Sequence, residues 1–285
     1  MNTISCTIPD SLHVALQKRM DAEKESCDHI VSVALSQWLE TPVLHTLFQV
    51  STSAALVEGI YQGAVRVSRL LRHGDFGLGT FPDLDGEMVV LDGVCYQISS
   101  TGKIAPVNAE RLVPYAVVTR FSASFRKDHQ KITNLGSLVN VCDSCRDSDN
   151  VFYAFRGEGA FETVRTRVMR PVSEGTKLKV AASAQQEFSF EHLRGTVVGL
   201  WSPLFAGSFS VPGYHFHFLS EDRQNGGHLL ECQAQDVDME GCAITEMHVS
   251  LPETEQFLKA DLSRDPVEAL LSAERNRTPK DSAIN

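Results

Sequence analysis

Positive charge is scarce in this chain of 285 residues, which has 26 lysines and arginines against 36 aspartates and glutamates, a net charge of −10. A surface of this sign repels nucleic acid and anionic membranes, so binding to a polyanion would need a local basic patch. No apolar run reaches the ~18 residues of a membrane-spanning helix, and the N-terminus lacks the pattern of a signal peptide. We therefore expect a cytoplasmic protein with no membrane partner.

Cysteines are few and scattered, seven in all, which is unlike the disulfide framework of a small secreted domain. Cys142 and Cys145 form a single CxxC pair, and one such pair is more often incidental than a metal or redox site. Sequence motifs for organic cofactors are also missing, since there is no GxGxxG after a strand and no phosphate-binding P-loop. The chain is long enough for one large domain or two smaller ones.

Residues 1–42 have a pattern of their own. Residues 3–8 alternate polar and apolar side chains, which is the period of a half-buried strand, and Pro9 ends it. Two helices are predicted to follow, the first capped by Asp10 or Ser11 and the second by Ser26. Their apolar faces contain Leu12, Ala15, Leu16 and Met20 in the first helix and Ile30, Ala34, Leu35 and Trp38 in the second.

This strand-helix-helix order resembles the ribbon-helix-helix module, in which two chains pair their strands and bury both helices. In its DNA-binding members the outward strand side chains enter the major groove. Here those side chains are Thr3, Ser5 and Thr7, and residues 1–42 have three basic and six acidic side chains, a net charge of −3. The resemblance therefore implies subunit pairing into a homo-oligomer rather than DNA binding, and a packed helical extension is the plainer alternative.

From residue 44 the sequence changes to short strands and turns. Residues 87–91 and 94–99 flank Asp92-Gly93, the signal of a tight hairpin. Further strands are predicted at 115–121, 151–156, 164–169, 196–201, 214–219 and 228–232, and helices at 53–58, 65–73, 135–141 and 266–276. The sequence thus predicts an α+β, mostly β domain over residues 43–276, followed by a disordered tail at 277–285.

Three histidines give the sharpest chemical signal. His215 and His217 alternate with aromatic residues, so in a strand they project from the same face. Residues 222–227 are turn-rich and can bring His228 back on the neighbouring strand. Three imidazoles leave a tetrahedral Zn²⁺ with one open position, as a catalytic zinc requires, although imidazole also suits other first-row metals. We therefore predict a metal site, the alternative being exposed histidines on a strand.

A cupin motif offers a second interpretation. His215, His217 and Glu221 resemble half of the first cupin motif, in which two histidines and a glutamate share a metal. The second half, a Pro-x-Gly with a following His and Asn, is missing downstream. A cupin-like metal enzyme acting on another small oxo acid would require Glu221 as a ligand.

Several further strings, spread over residues 45–276, resemble the acetolactate decarboxylase family. They are LFQVST (47–52), EGIYQG (58–63), HGDFGLGTF (73–81), LDGE (84–87), VRTR (164–167) and GYHFHF (213–218). The resemblance implies a two-part fold, a mixed sheet with a barrel-like half, that forms homodimers. The small strand-helix-helix extension before it is not part of that pattern.

The resemblance also implies roles for individual residues. His215, His217 and His228 would bind zinc, Glu87 and Arg167 would be the active-site glutamate and arginine, and Glu274 would reach the metal from the C-terminal helix. Without the family, Glu87, Arg167 and Glu274 would be interpreted as exposed strand or helix residues. The implied reaction converts 2-acetolactate (2-hydroxy-2-methyl-3-oxobutanoate) to acetoin and CO2, with zinc as the Lewis acid for an enediolate. A DNA-binding regulator fused to this domain is the remaining alternative.

Overall fold

The computed structural model describes residues 4–23, 25–39 and 46–274, except for the side chains of residues 23, 29, 36, 37 and 274. The chain divides into two compact units, residues 1–44 and residues 45–285. Among the described residues, no helix combines the length and the apolar character that crossing a membrane requires. The predicted tail at 277–285 lies outside the described residues.

The first unit contains two helices, α1 (Asp10–Glu23) and α2 (Cys27–Trp38), as the sequence predicts. The predicted strand at 3–8 is not formed within the chain: Thr3 lies outside the described residues, and residues 4–9 have neither helix nor strand. A strand is stabilised by hydrogen bonds to a neighbouring strand, and this short unit supplies none of its own. The ribbon part of the resemblance therefore stays a prediction.

The second unit is mostly β, as predicted. Its strands are β1 (Thr46–Val50), β2 (Val65–Arg66), β3 (Phe76–Thr80), β4 (Glu87–Leu91), β5 (Val94–Ile98), β6 (Ile104–Pro106), β7 (Leu112–Val113), β8 (Tyr115–Thr119), β9 (Phe125–Ile132), β10 (Phe152–Val168), β11 (Gln186–Ser202), β12 (Gly213–Ser220), β13 (Gly226–Ile244) and β14 (Glu246–Ser250). Its helices are α3 (Ser53–Val57), α4 (Val67–His73), α5 (Leu135–Asp143), α6 (Leu178–Ala182), α7 (Glu255–Lys259) and α8 (Val267–Glu274), with 3-10 turns at Pro82–Leu84 and Leu204–Ala206.

Seven strands form a mixed sheet in the order β14-β1-β8-β3-β4-β5-β6. Strands β1 and β14 are parallel, and the other neighbours are antiparallel. The β4–β5 hairpin turns at Asp92 and Gly93, whose φ angles are 51° and 77°. Positive φ at both central residues is the geometry of a type I′ turn, which explains why Asp-Gly marked the hairpin in the sequence.

The other large sheet closes on itself. Its order is β10-β11-β12-β13-β9, and β10 also pairs with β13, so β10 has a neighbour on both edges. This closed sheet is the barrel-like half implied by the family resemblance. The two strands predicted at 151–156 and 164–169 correspond to the two ends of one 17-residue strand, β10, which begins at Phe152 and ends at Val168.

One apolar core joins parts of both sheets and three short helices. It contains Leu78 from β3 and Leu219 from β12 together with Leu56, Leu178 and Leu270 from α3, α6 and α8. All five side chains are less than 10% exposed. Burying residues of this kind is worth about 1.5–3 kcal/mol each. This packing fixes the three helices over one end of strands β3, β4 and β12, where the predicted site residues lie.

Candidate metal centre and active site

Strand β12 and the start of β13 form the hairpin predicted from the histidine spacing. His217 lies directly opposite His228 in the register of the two strands. On the other face of β12, Phe216 and Phe218 are buried in an apolar cluster, which holds the strand so that both histidines point the opposite way. Gly227 adopts a φ of +137°, and a Cβ there would lie 2.7 Å from the carbonyl oxygen of Arg167. Glycine therefore allows β13 to approach β10 beside His228.

The three histidines converge as the hairpin predicts. One ring nitrogen from each of His215, His217 and His228 lies within 4.8 Å of the other two. The ring centroids are 5.0 Å apart for His215–His217 and for His215–His228, and 5.4 Å apart for His217–His228. His217 is fully buried and His228 is 6% exposed. Such a set of neighbouring donors, largely shielded from water, suits a divalent metal ion.

Hydrogen bonding fixes the orientation of the central imidazole. His217 Nδ1 lies 2.8 Å from the backbone oxygen of Met88 in β4. A carbonyl oxygen only accepts, so Nδ1 carries the proton and donates it, which leaves the lone pair on Nε2. A metal-binding histidine usually donates a hydrogen bond from the ring nitrogen that does not bind the metal, as Nδ1 of His217 does here. The contact could not be predicted from the sequence, because it uses a backbone oxygen that any residue provides.

Burial keeps the imidazoles of His215 and His228 neutral. Burial, and secondarily the Arg167 charge, lowers the pKa of His215 to about 3. The pKa of His228 is also lowered well below its ordinary value, by burial first, then by Arg167 and by its two histidine neighbours. Only a neutral imidazole has a lone pair to give to a metal, so near neutral pH these donors are ready without loss of a proton. The residues present therefore fit a zinc ion.

Glu87 lies beside this cluster at the start of β4 and is 6% exposed. Its Oε1 accepts a hydrogen bond of 3.2 Å from the backbone N–H of Met169. Its Oε2 lies 3.6 Å from His217 Nε2. The carboxylate is therefore held by one oxygen while the other faces the nitrogen that would bind a metal.

Arg167 is opposite His228 in the β10–β13 register and is 5% exposed. Its Nη1 donates to Gln185 Oε1 at 3.0 Å and to the backbone oxygen of Ala273 in α8. Two hydrogen bonds therefore hold one nitrogen of the guanidinium, one to the loop before β11 and one to helix α8. Nothing in the sequence predicts Gln185 or the Ala273 carbonyl as a hydrogen-bond partner of Arg167.

Glu87, Arg167, His215 and His228 line one small cavity of about 50 Å³. Thr80, opposite Glu87 on β3, contributes a hydroxyl that donates to the backbone oxygen of Gly86 at 2.8 Å. The remaining wall is largely apolar and was not predicted: it contains Leu56, Tyr115, Met169, Leu178, Ala182, Val211, Leu270 and Ala273. The cavity thus combines polar groups at one end with an apolar cap from α3, α6 and α8.

Two other predicted residues have different outcomes. Glu274 is the last residue of α8 and follows Ala273, whose carbonyl contacts Arg167, but the Glu274 side chain lies outside the described residues. Glu221 is on the surface, where its Oε2 lies 3.4 Å from Arg194 Nε and both side chains are more than 60% exposed. Glu221 is not in the histidine cluster, so the geometry does not support the cupin alternative.

The CxxC pair shows no sign of reactivity. Cys142 and Cys145 are free thiols, and Cys142 is fully buried. Burial raises the pKa of the Cys142 thiol well above its ordinary value, so the thiolate that redox or metal chemistry needs is disfavoured.

Comparison with known proteins gives a consistent result. The family described as alpha-acetolactate decarboxylase matches residues 47–264. The chain is 40% identical over 230 residues to an alpha-acetolactate decarboxylase of Methanosarcina mazei, which covers 80% of each chain. It is 35% identical over 237 residues to the Brevibacillus brevis enzyme, covering 82% of each.

A solved structure agrees with the sequences. The crystal structure of alpha-acetolactate decarboxylase from Bacillus subtilis strain 168 superposes with a TM-score of 0.77 at 31% identity, covering 81% of this chain and 99% of that one. The family match begins after the first unit, as the motif strings do. From this match and from the two relatives, the chain belongs to the alpha-acetolactate decarboxylase family.

Proposed function

We propose that this enzyme decarboxylates 2-acetolactate to acetoin and CO2, using a zinc ion held by His215, His217 and His228. The observation that carries the proposal is the convergence of His215, His217 and His228 beside a small cavity that two of them line together with Glu87 and Arg167. The names of the relatives supply the substrate, and the cavity supplies groups suited to that substrate's hydroxyl, ketone and carboxylate.

The substrate needs an electron sink but no organic cofactor. Loss of CO2 from C2 leaves an electron pair that moves onto the neighbouring ketone oxygen and gives an enediolate. Protonation of the enediolate at C2 then gives acetoin. Because the substrate's own ketone accepts the electron pair, no organic cofactor is needed as an electron sink. When bound, zinc supplies Lewis-acid stabilisation of negative charge on the substrate oxygens.

Arg167 is suited to binding the substrate carboxylate or the developing oxyanion. Its planar guanidinium can donate two parallel hydrogen bonds to two oxygens, and its contacts with Gln185 and Ala273 fix its direction. Because the group is only 5% exposed, its charge is poorly screened by water. We propose that it holds the carboxylate until CO2 leaves and then stabilises the negative charge that remains.

Glu87 is suited to moving the proton. Met169 N–H holds Oε1, and Oε2 is the oxygen proposed to take a proton from the substrate hydroxyl or to pass one to C2. A positioned carboxyl group typically contributes 10²–10⁴-fold to such a transfer. Delivery from one fixed side would give a single enantiomer of acetoin, because C2 becomes the chiral centre.

The apolar cap has a separate role in the proposed reaction. Leu56, Leu178 and Leu270 line the cavity with apolar side chains, which suit the methyl groups of the substrate. Excluding water there strengthens the interaction of Arg167 with the developing charge. It also limits protonation to the proton that the protein delivers.

The test is turnover of racemic acetolactate by the purified protein, measured as acetoin and CO2 formed in equal amounts, against a control without enzyme. We expect removal of metal by a chelator to abolish the enzymatic rate, and one equivalent of zinc to restore it. Formation of acetoin no faster than in the control would contradict the proposed activity. Full activity after complete metal removal would contradict the role of zinc but not the proposed reaction.

A further inference from the structure

Two uncharged groups hold Arg167 at the edge of the cavity. Its Nη1 donates to Gln185 Oε1 at 3.0 Å and to the backbone oxygen of Ala273. A carboxylate in either place would form an ion pair with the guanidinium, whereas an amide and a backbone carbonyl accept the hydrogen bonds without a negative charge. These two contacts therefore fix the direction of Arg167 and do not offset its positive charge.

The carboxylate of Glu187 lies close to this position. Glu187 is directly opposite Arg167 in the register of β10 and β11. Opposite residues of an antiparallel pair have Cβ atoms about 4.5–5.5 Å apart, so strand geometry alone would favour an ion pair between these two side chains. The carboxylate pairs with a different arginine, since Glu187 Oε2 lies 3.0 Å from Nη1 of Arg165. Strand register alone therefore does not decide which arginine Glu187 contacts.

The side chain of Gln185 lies between Arg167 and Glu187. Its Oε1 accepts from Arg167, and its Nε2 donates to Glu187 Oε1 at 3.3 Å. A guanidinium only donates and a carboxylate only accepts, so a side chain that connects them needs an acceptor at one end and a donor at the other. A primary amide has both, whereas a carboxylate and a thioether lack the donor. The two neighbours thus fix the orientation of the amide and explain why an amide is suited to this position.

The surroundings of these three side chains change from buried to exposed. Arg167 is 5% exposed, and Gln185, in the loop between α6 and β11, is partly buried. The side chain of Glu187 is 40% exposed. Charges interact more strongly where water is excluded, so a carboxylate at position 185 would bind Arg167 more strongly than an exposed carboxylate does. A neutral residue at this position avoids that pairing.

We propose that Gln185 is a positioning residue that sets the affinity of Arg167 for the substrate carboxylate. Its amide orients the guanidinium and occupies Glu187 Oε1, so that the protein's own carboxylate does not compete with that of the substrate. The inference rests on the proposed reaction, since only a substrate with a carboxylate makes use of this arrangement. It extends that proposal to a residue that acts through Arg167 rather than on the substrate.

The test compares an acid with its neutral counterpart, each as a competitive inhibitor of acetoin formation by the zinc-loaded enzyme. The acid is 2,3-dihydroxy-2-methylbutanoate, the substrate with its ketone reduced, which has no electron sink and cannot lose CO2. The neutral counterpart is butane-2,3-diol, which lacks the carboxylate. Gln185→Glu retains the size and the acceptor of the side chain but places a carboxylate beside Arg167. It should raise the inhibition constant of the acid about 10–100-fold, the effect of losing a hydrogen bond to a charged group, and leave that of the diol unchanged.

Gln186→Glu is the matched control, since it makes the same change one residue further along the chain. Gln186 Oε1 also accepts from an arginine, Arg170 Nη2 at 2.6 Å, but at the surface. This variant should bind both inhibitors as the wild type does. Gln185→Met removes both hydrogen bonds of the amide without adding a charge. It should raise the inhibition constant of the acid less than Gln185→Glu does, because Arg167 loses its direction but gains no competing carboxylate.

The outcomes separate this inference from the proposed reaction. Failure of the wild-type enzyme to form acetoin would overturn the reaction and the inference with it. With an active wild type, an unchanged inhibition constant for the acid in Gln185→Glu would overturn the role of Gln185 alone. An equal rise for the acid and the diol would do the same, because it would report a general distortion of the cavity.

Discussion

Two groups of side chains in the closed sheet have residue types that bind metals, and they differ in their surroundings. One is the buried trio of His215, His217 and His228, and the other combines His129 with Asp236 and Asp238. In the second group His129 and Asp236 have side chains 80% and 62% exposed. Strand β13 contributes to both, so the same element carries a candidate metal centre at one point and a surface ion-pair network at another.

The difference teaches that environment, more than residue type, makes a metal site. His129 Nδ1 lies 3.0 Å from Asp236 Oδ1, and Asp238 also pairs with Arg126 at 3.0 Å. The hydrogen bond to Asp236 and the surrounding carboxylates raise the pKa of His129, whereas burial lowers that of His215. The exposed imidazole of His129 therefore holds its proton to higher pH than an ordinary histidine does, and a protonated nitrogen cannot bind a metal. The buried imidazole of His215 favours the neutral form, which can.

The largest effect is expected from removing a histidine of the buried group. His217→Ala should remove most of the zinc and reduce acetoin formation to the background rate, because one of the three proposed ligands and its hydrogen bond to Met88 are lost. The same is expected of His215→Ala and His228→Ala. Elemental analysis of each purified variant measures the metal. Full zinc in the His228→Ala variant would show that the β12–β13 hairpin does not form the metal site.

A smaller loss is expected from the charged residues that line the same cavity. Glu87→Gln and Arg167→Ala should retain zinc but lower kcat by about 10²–10⁴-fold, since they are proposed to act on the substrate rather than to hold the metal. Steady-state rates are measured together with zinc content and thermal stability. These measurements distinguish a loss of chemistry from a loss of metal or of folding. Turnover close to that of the wild type in either variant would remove that residue from the mechanism.

Glu221 is a further test of the difference between buried and exposed groups. It is close in sequence to the three histidines, but its side chain is exposed. Glu221→Ala should leave zinc and turnover unchanged, and loss of its exposed pair with Arg194 should cost less than about 1 kcal/mol of stability. Loss of zinc in this variant would restore the cupin-like arrangement, in which the glutamate is a ligand.

The sequence predicted those parts of the site that depend on local periodicity. Alternation of histidine with aromatic residues was enough to place His215 and His217 on one face, since the period of a strand is fixed by its backbone. Asp92-Gly93 likewise predicted its hairpin, because both residues adopt the positive φ that this turn requires. Glu87 and Arg167 required the family resemblance, because a single charged residue in a strand carries no sign of where its side chain points.

What was missed depends on contacts distant in sequence. Strand β3 was not predicted because glycine disfavours strands. In the structure, however, a Cβ at Gly77 would lie 2.1 Å from the backbone oxygen of Val117, and a Cβ at Gly79 would lie 2.5 Å from that of Tyr115, both in β8. The helix predicted at 65–73 begins at Val67, because Val65 pairs with Val113 in a two-stranded sheet. The apolar cap over the cavity was missed for the same reason: α3, α6 and α8 come together only in the folded chain.

The smallest effect is expected at His129, and it depends on pH. Its folded-state pKa is raised by the hydrogen bond to Asp236, so its contribution to stability is fully present below the unfolded value of about 6.5 and is lost as the pH rises through the folded pKa. His129→Ala should therefore lower stability more at pH 5.5 than at pH 8.5, with zinc and turnover unchanged. His192→Ala is the matched control, since His192 is also exposed and has a φ of 52° against 56° at His129. The backbone effect of alanine at a positive φ is then the same in both variants, and the pH-dependent difference in denaturation midpoints reports the ion pair alone. A difference that grows with pH, or zinc loss in His129→Ala, would contradict the distinction between the buried and the exposed groups.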